Sequence, residues 1–304
     1  MILNEFFSHP VKLTLRVTPF MKSLQGSKNF MERDQTERKS ILKSLKALIK
    51  RTKIFFGLGL KSIDYFGGSI LCDDPHLFDS GESSLMDTTI RNIVKEGMIF
   101  IDVGTHVGYY ALIAAKLVGP SGRVYAFEPN PYNFQILKKN VSRNNYTNVT
   151  TVNKAVSDTN GFTNFTIAES SDSGSLFEDV VKKKLENVKV SVVSLDGFFE
   201  NVSSSNAPII LKIDAEGADA LVVNGAIRTI ARSQKIVLEV NPKSLKKSGS
   251  DPFEMLSWLK NMGYSVRVID VKSRRENIGH ELESIESIVR SLENEGFANV
   301  LAEK

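Results

Sequence analysis

Residues 98–104, MIFIDVG, limit what this chain can fold into more than any other stretch. The run is apolar, too short for a buried helix, and ends in a carboxylate and a glycine. Such a run reads as a strand covered on both faces. Tyr109 to Val118 follows at helical spacing, then a second apolar run, Arg123 to Pro129, and a second helix, Pro131 to Asn144. Val149 to Val156 reads as a third strand. Short strands alternating with helices mean a parallel sheet with helices on its faces.

The pattern continues to the end of the chain. Phe162 to Ile167 and Val188 to Val193 read as extra strands, and Pro208 to Gly217 as another buried one. Ala218 to Ile230 reads as a helix, Lys235 to Pro242 as a strand, Pro252 to Met262 as a helix and Tyr264 to Asp270 as a strand. Glu281 to Glu295 closes as a helix and Ala298 to Lys304 as a last strand. Ser84 to Lys95 is an expected helix, and Gly67 to Ser84 an expected loop punctuated by Asp73-Asp74-Pro75 and Gly81. The expected fold is α/β, with a seven-stranded, mostly parallel sheet and helices on both faces.

The N-terminal part differs in character. Residues 1–53 carry about twelve Lys/Arg against about four Asp/Glu, so a net +4 chain is basic at its start and mildly acidic elsewhere. Within it, Ile41, Leu42, Leu45, Leu48 and Ile49 make one apolar face of an expected helix, Asp34 to Phe56, opposite Lys39, Lys43, Lys46, Lys50 and Arg51. We therefore expect a helical basic extension over 1–80 and a catalytic domain over 81–304. Such a helix packs on a core or touches an anionic membrane surface weakly. Residues 54–71 are apolar but contain Lys61, Asp64 and glycines, short of a spanning helix. The first residues, MILNEFFSHPVKLTLR, contain no uninterrupted apolar run, so no cleaved signal is expected. A lone cysteine, Cys72, excludes an intrachain disulfide and a cysteine-based zinc site. These features point to a cytoplasmic protein, peripheral to a membrane at most, and the acidic catalytic part argues against a nucleic-acid partner. The sequence leaves the oligomeric state open.

The chemistry lies at the strand ends. Asp102-Val-Gly104-Thr105-His106-Val-Gly108-Tyr109 is a glycine turn that lets backbone approach a ligand and aims a helix N-terminus at it. Its spacing, Asp-x-Gly-x-x-x-Gly, departs from the dinucleotide fingerprint. A carboxylate in the first position repels a pyrophosphate and attracts an α-amino group and a sulfonium. Glu128 ends the second strand, where an acid accepts hydrogen bonds from ribose hydroxyls. The pair fits NAD or S-adenosylmethionine, and Asp102 tips the balance to the latter. Asp214 and Glu216 in KIDAEG, and Glu239 in EVNP, end two further strands at the same edge.

Methyl transfer to an alcohol needs a proton acceptor. Asp214 is the best placed by position, with Glu216, Glu239 and His106 as the other candidates. Asp214 also suits pairing with Lys212, Glu216 capping of a helix, and His106 hydrogen bonding within its loop. No His/Cys spacing supports zinc, and no metal is expected, although carboxylates gathered at one edge also suit Mg²⁺. Other readings are an NAD(P)-dependent oxidoreductase, an N-methylating, nucleic-acid or protein methyltransferase, and a non-catalytic module that binds S-adenosylmethionine. The Asn/Asp-Pro-Pro-Tyr/Phe motif of amino-methylating enzymes is absent.

These stretches resemble the FkbM family of methyltransferases: IDVGTHVGYYALIAAKLVGPSGRVYAFEPNPYNFQILKKN, NKAVSDTNGFTNF, VSLDGFFE, LKIDAEGADALVVNGA and VLEVNP. The likeness runs from about Gly81 to Pro242. It implies a Class I (Rossmann-like) S-adenosylmethionine-dependent enzyme that methylates hydroxyls of sugars, glycolipids or secondary metabolites. By position it implies that Asp102, Gly104 and Gly108, with Thr105, His106 and Tyr109, form the cofactor loop. Glu128 would hold the ribose, Pro129 and Asn130 the adenosine rim, and Ala155 and Val156, followed by Ser157-Asp158, the adenine. Asp214 would also reach the cofactor. Thr105 and His106 stand where the family commonly has Ala-Asn, which leaves the role of His106 open.

Overall fold

The computed structural model describes residues 34–42, 44–45, 60–66, 68–73, 82–200, 206–271 and 285–304. The chain divides into two compact units, Met1–Leu60 and Lys61–Lys304. In the first, residues 35–42 and 44–45 are helical. Asp34 starts this helix, its Oδ1 accepting the N–H groups of Thr36 and Glu37 at 2.6 and 2.9 Å. The rest of the helix expected to Phe56 lies outside the described residues.

The second unit opens with an antiparallel hairpin, β1 (Lys61–Tyr65) and β2 (Gly68–Cys72). A loop was expected over Gly67 to Ser84, yet β2 forms. The reason is long-range: Asn140 and Asn144, on a helix far along the chain, bind the backbone of Ser69 and Leu71.

The main elements follow as α1 (Glu82–Ile93), β3 (Ile99–Val103), α2 (Tyr109–Val118), β4 (Arg123–Phe127), α3 (Pro131–Arg143), β5 (Val149–Val152), β6 (Ala155–Val156), β7 (Gly161–Ala168), β8 (Lys184–Val193), α4 (Leu195–Phe199) and β9 (Ile209–Ile213). The rest are α5 (Asp219–Asn224), α6 (Ile227–Arg232), β10 (Ser233–Val240), α7 (Pro242–Lys247), α8 (Pro252–Asn261), β11 (Ser265–Val271), α9 (Ile285–Glu295) and β12 (Ala298–Glu303).

Seven strands form one sheet in the order β11-β12-β10-β9-β3-β4-β5. The pairs from β10 to β5 are parallel, and β12 runs antiparallel to both its neighbours. The chain winds outward from β3 in one direction and from β9 in the other. Right-handed crossovers then place helices on opposite faces. Ile101, Val103, Leu211 and Ile213 pack in the core with Val222, Leu245, Leu256 and Leu292 of α5 to α9. The alternate residues of β3 and β9, including Asp102 and Lys212, face the α2 side. The switch between the two windings falls at β3 and β9, where open α/β sheets leave a crevice beyond the strand ends.

Two expected elements divide. Val149 to Val156 breaks at Asn153, whose side chain turns to donate to the Glu128 carbonyl at 2.7 Å. The last two residues then join a separate sheet, β6-β8-β7. The helix expected over Ala218 to Ile230 breaks at Gly225, where a Cβ would lie 2.0 Å from the Ser157 carbonyl oxygen.

Candidate active site

A cleft of about 380 Å³ opens beyond the carboxyl ends of β3, β4 and β9. It is shaped first by the loop after β3. Gly104 (φ +75°) and Thr105 both donate their N–H to the Phe127 carbonyl at 3.0 Å. A Cβ on Gly104 would lie 1.8 Å from the Asp214 carbonyl oxygen, so the β3 and β9 loops meet only because this residue has none. His106 takes a left-handed φ of +54°, uncommon for a side-chain-bearing residue. That turn carries its N–H to Glu128 Oε2 at 2.8 Å. Gly108 (φ +96°) then starts α2.

Glu128 is 4% exposed, and its other oxygen accepts the Asn130 N–H at 2.9 Å. Burial pushes its carboxyl up to about 8, against the pull of the Asn130 and His106 N–H groups. Asn130 caps α3, accepting the Tyr132 N–H, with Pro131 in the first helical turn. Pro129, Asn130, Ala155 and Val156 line the cleft beside Glu128.

Opposite stand the β9 and β10 ends. Lys212 is buried between two carboxylates, 3.4 Å from Asp102 Oδ1 and 3.2 Å from Asp214 Oδ2. Asp102 Oδ2 accepts the Thr105 hydroxyl at 2.7 Å. Glu216 has φ +49°, and its carbonyl accepts the Ser175 hydroxyl at 2.7 Å. Asp219 holds this loop, accepting the N–H groups of Ala215 and Gly217 at 2.8 and 3.1 Å. Burial raises the Asp219 carboxyl to about 6. Carboxylate oxygens of Asp214, Glu216 and Glu239 lie within 4.8 Å of one another, and all three residues line the cleft. The grouping is compatible with a cation, but three acids alone do not identify one.

The structure thus brings together Gly104, Thr105, His106, Tyr109, Glu128, Pro129, Asn130, Ala155, Val156, Asp214, Glu216 and Glu239. Asp102 and Gly108 do not line the cleft. Asp102 is fully buried, held by Thr105 and Lys212, and Gly108 lets the loop pass Leu137, whose Cδ1 would lie 2.5 Å from a Cβ there.

The motif reading missed the far wall. The β7–β8 connection brings Ser171, Asp172, Gly174 and Leu176 to the cleft. It is tied by the Asn133 side chain to the Ser171 carbonyl and by the Ser171 hydroxyl to Asp73. Partial desolvation opposes the Asp172 charge, but Ser170, Ser173 and the His106 imidazole hold its carboxyl below the ordinary value. His106 therefore faces a charge from this wall. Asp219 could have been found as a helix-start acid; the wall had no comparable signal.

Comparisons with known proteins show what the chain is similar to. Protein-L-isoaspartate O-methyltransferase of Methanothrix thermoacetophila is 41% identical over 59 residues, 19% of this chain. The chain matches only 28% of that relative's length. The precorrin-6y C5,15-methyltransferase structure of Geobacter metallireducens is 14% identical, with a TM-score of 0.40 over 73% of this chain and 89% of that one. A SAM-dependent O-methyltransferase structure of Thermotoga maritima is 12% identical, with a TM-score of 0.40 over 83% and 81%. The seven-stranded sheet has the Rossmann-like arrangement of methyltransferases. Residues 102–266 match the methyltransferase FkbM domain, more than half of the chain, and the chain belongs to the FkbM methyltransferase family.

Proposed function

We propose that the chain transfers a methyl group from S-adenosylmethionine to a hydroxyl of a sugar, glycolipid or secondary metabolite. The observation that carries this reading is the meeting of the β3, β4, β9 and β10 ends on one cleft with Glu128 at its wall. The donor set fits the cofactor. Each Glu128 oxygen holds one backbone N–H, the Asn133 side chain adds a third hydrogen bond, and the remaining lone pair is left for a ribose hydroxyl. Ala155 and Val156 give a small apolar ledge for a flat ring. The carboxylates of Asp214, Glu216 and Glu239 suit an ammonium and a sulfonium.

When bound, the cofactor supplies a methyl group that needs no further activation. The chain must then align the acceptor and take its proton. Alignment is worth several kcal/mol, and a positioned base typically contributes 10²–10⁴-fold. Candidates for that base are Asp214, Glu216, Glu239 and His106. No helix among the described residues is long and apolar enough to cross a membrane. We place the reaction in the cytoplasm, with a small-molecule or glycan acceptor rather than a nucleic acid.

Calorimetric titration with S-adenosylmethionine tests the cofactor, and absence of binding overturns it. Mass spectrometry of lipids and glycans from a strain lacking the chain tests the acceptor. One lost methyl group on such a molecule is expected. A methyl lost from RNA or protein instead would overturn the acceptor class.

A further inference from the structure

Lys212 on β9 is the register partner of Asp102 on β3. Its ammonium is buried and touches both acids described above, and it lies 5.5 Å from the centre of the Tyr110 ring. Burial opposes its charge, but Asp214 and Asp102 outweigh burial and raise its pKa above the ordinary lysine value. The two acids differ in setting: the Asp102 side chain is 1% exposed and the Asp214 side chain 32% exposed at the cleft. Lys212 therefore spans from a sealed charge to a ligand-facing one. A carboxylate held by such a cation has its orientation fixed, with its exposed side toward the cleft.

We propose that Lys212 is a positioning residue: it couples Asp102 to Asp214 and fixes Asp214 as an acceptor for the ammonium end of the methyl donor. The proposal rests on the S-adenosylmethionine reading. It changes the role that sequence position alone favours for Asp214.

The test uses the full chain and two readouts. One is S-adenosylmethionine affinity by calorimetry. The other is labelled methyl incorporation into a lipid and glycan extract at saturating donor. Asp214→Asn should weaken affinity about tenfold or more while incorporation stays within about threefold. Unchanged affinity with collapsed incorporation would overturn the proposal, because Asp214 would then be the base. Lys212→Met should weaken affinity, and Lys212→Arg should recover part of it. Lys212→Met combined with Asp214→Asn should bind about as weakly as Lys212→Met alone, since residues acting as a unit are non-additive. Multiplying losses, or no recovery by Arg, would overturn the coupling. If Lys212→Met does not fold, Lys212→Arg, alone and combined with Asp214→Asn, takes its place in the cycle, and multiplying losses there overturn the coupling. A wild-type chain that binds no S-adenosylmethionine would overturn the cofactor reading and this proposal together. Wild-type binding with a failed split or coupling overturns only the proposal.

Discussion

Asp102 and Lys212 face each other across the junction of β3 and β9, as register partners 3.4 Å apart and both buried. Their strands flank the point where the two windings of the sheet diverge. Removing one member of a buried pair leaves the other charge poorly compensated, at about 3–5 kcal/mol. Asp214 still contacts Lys212, so Asp102→Asn should cost less, about 2–3 kcal/mol in urea unfolding, and weaken donor binding. A change below about 0.5 kcal/mol, the size expected of a surface substitution, would show that the pair does not support the sheet.

Glu128 links stability to pH. Its carboxyl sits at about 8 in the folded chain against 4.5 for an ordinary glutamate. Between those values the folded state holds a proton that the unfolded state has released. This contribution to stability is present below about 4.5 and is lost as pH rises toward 8. Glu128→Gln removes this loss but turns its amide nitrogen toward one of the two backbone N–H groups, so the linkage is read from the pH dependence: the melting temperature of the variant relative to wild type should rise by roughly 2–6 °C from pH 5 to pH 7.5. Donor affinity should fall, because an amide offers fewer acceptor sites to the ribose. A difference from wild type that is the same at pH 5 and pH 7.5 would contradict the linkage.

Gly104 and Gly249 separate two costs of adding a Cβ. Both have positive φ, +75° and +79°. A Cβ at Gly104 would lie 1.8 Å from the Asp214 carbonyl oxygen, whereas nothing lies within 4 Å at Gly249. Gly249→Ala should cost about 1 kcal/mol, from backbone conformation alone. Gly104→Ala must also push the β3 and β9 loops apart, and should lose donor binding at any temperature where the chain is folded. Equal melting temperatures and retained binding in both variants would show that the close approach is dispensable.

Asn140 ties the hairpin to α3 and to the loop before α2. It is fully buried, accepts the Leu71 N–H at 2.7 Å, and donates to the carbonyls of Leu71 and Val107 at 2.9 and 2.8 Å. Asn140→Ala leaves those groups without their partner and should cost about 2–4 kcal/mol, read by urea unfolding. Limited proteolysis should then cut first near β2. Cleavage elsewhere, with β2 protected, would place the weak point in another element.

The same residue shows where sequence reading reaches its limit. The runs MIFIDVG and KIDAEG announce their strands because apolar blocks ending in acids have few other uses. Tyr109–Val118 forms the expected helix for the same local reason. Asn140 and β2 are sixty-nine positions apart or nearly so, and a helix-facing asparagine carries no local mark of what it binds. Gly225 and Asn153 were equally silent, since each acts through a backbone group brought near only by folding. In the cleft, the acids were visible one strand at a time. That Lys212 bridges two of them depends on β3 and β9 being neighbours, a fact of sheet order rather than of any motif.

The basic N-terminal segment gives the last prediction. The cleft is lined by residues between Val103 and Glu239, all within the unit that starts at Lys61. Deleting residues 1–60 should therefore leave S-adenosylmethionine affinity unchanged in calorimetry. A large loss would mean that the first unit supports the cofactor site. Acceptor methylation by the truncated chain then shows whether the segment serves the acceptor. A membrane role makes a different demand. The segment would then bind anionic vesicles through its basic face, with attraction screened over about 8–10 Å at physiological salt. Sedimentation with phosphatidylglycerol vesicles at low and high salt separates the two roles. We expect weak binding by the full chain and none by the truncated one. Strong, salt-sensitive binding that vanishes on truncation would favour a membrane role over one in acceptor use, and no binding by either form would exclude it.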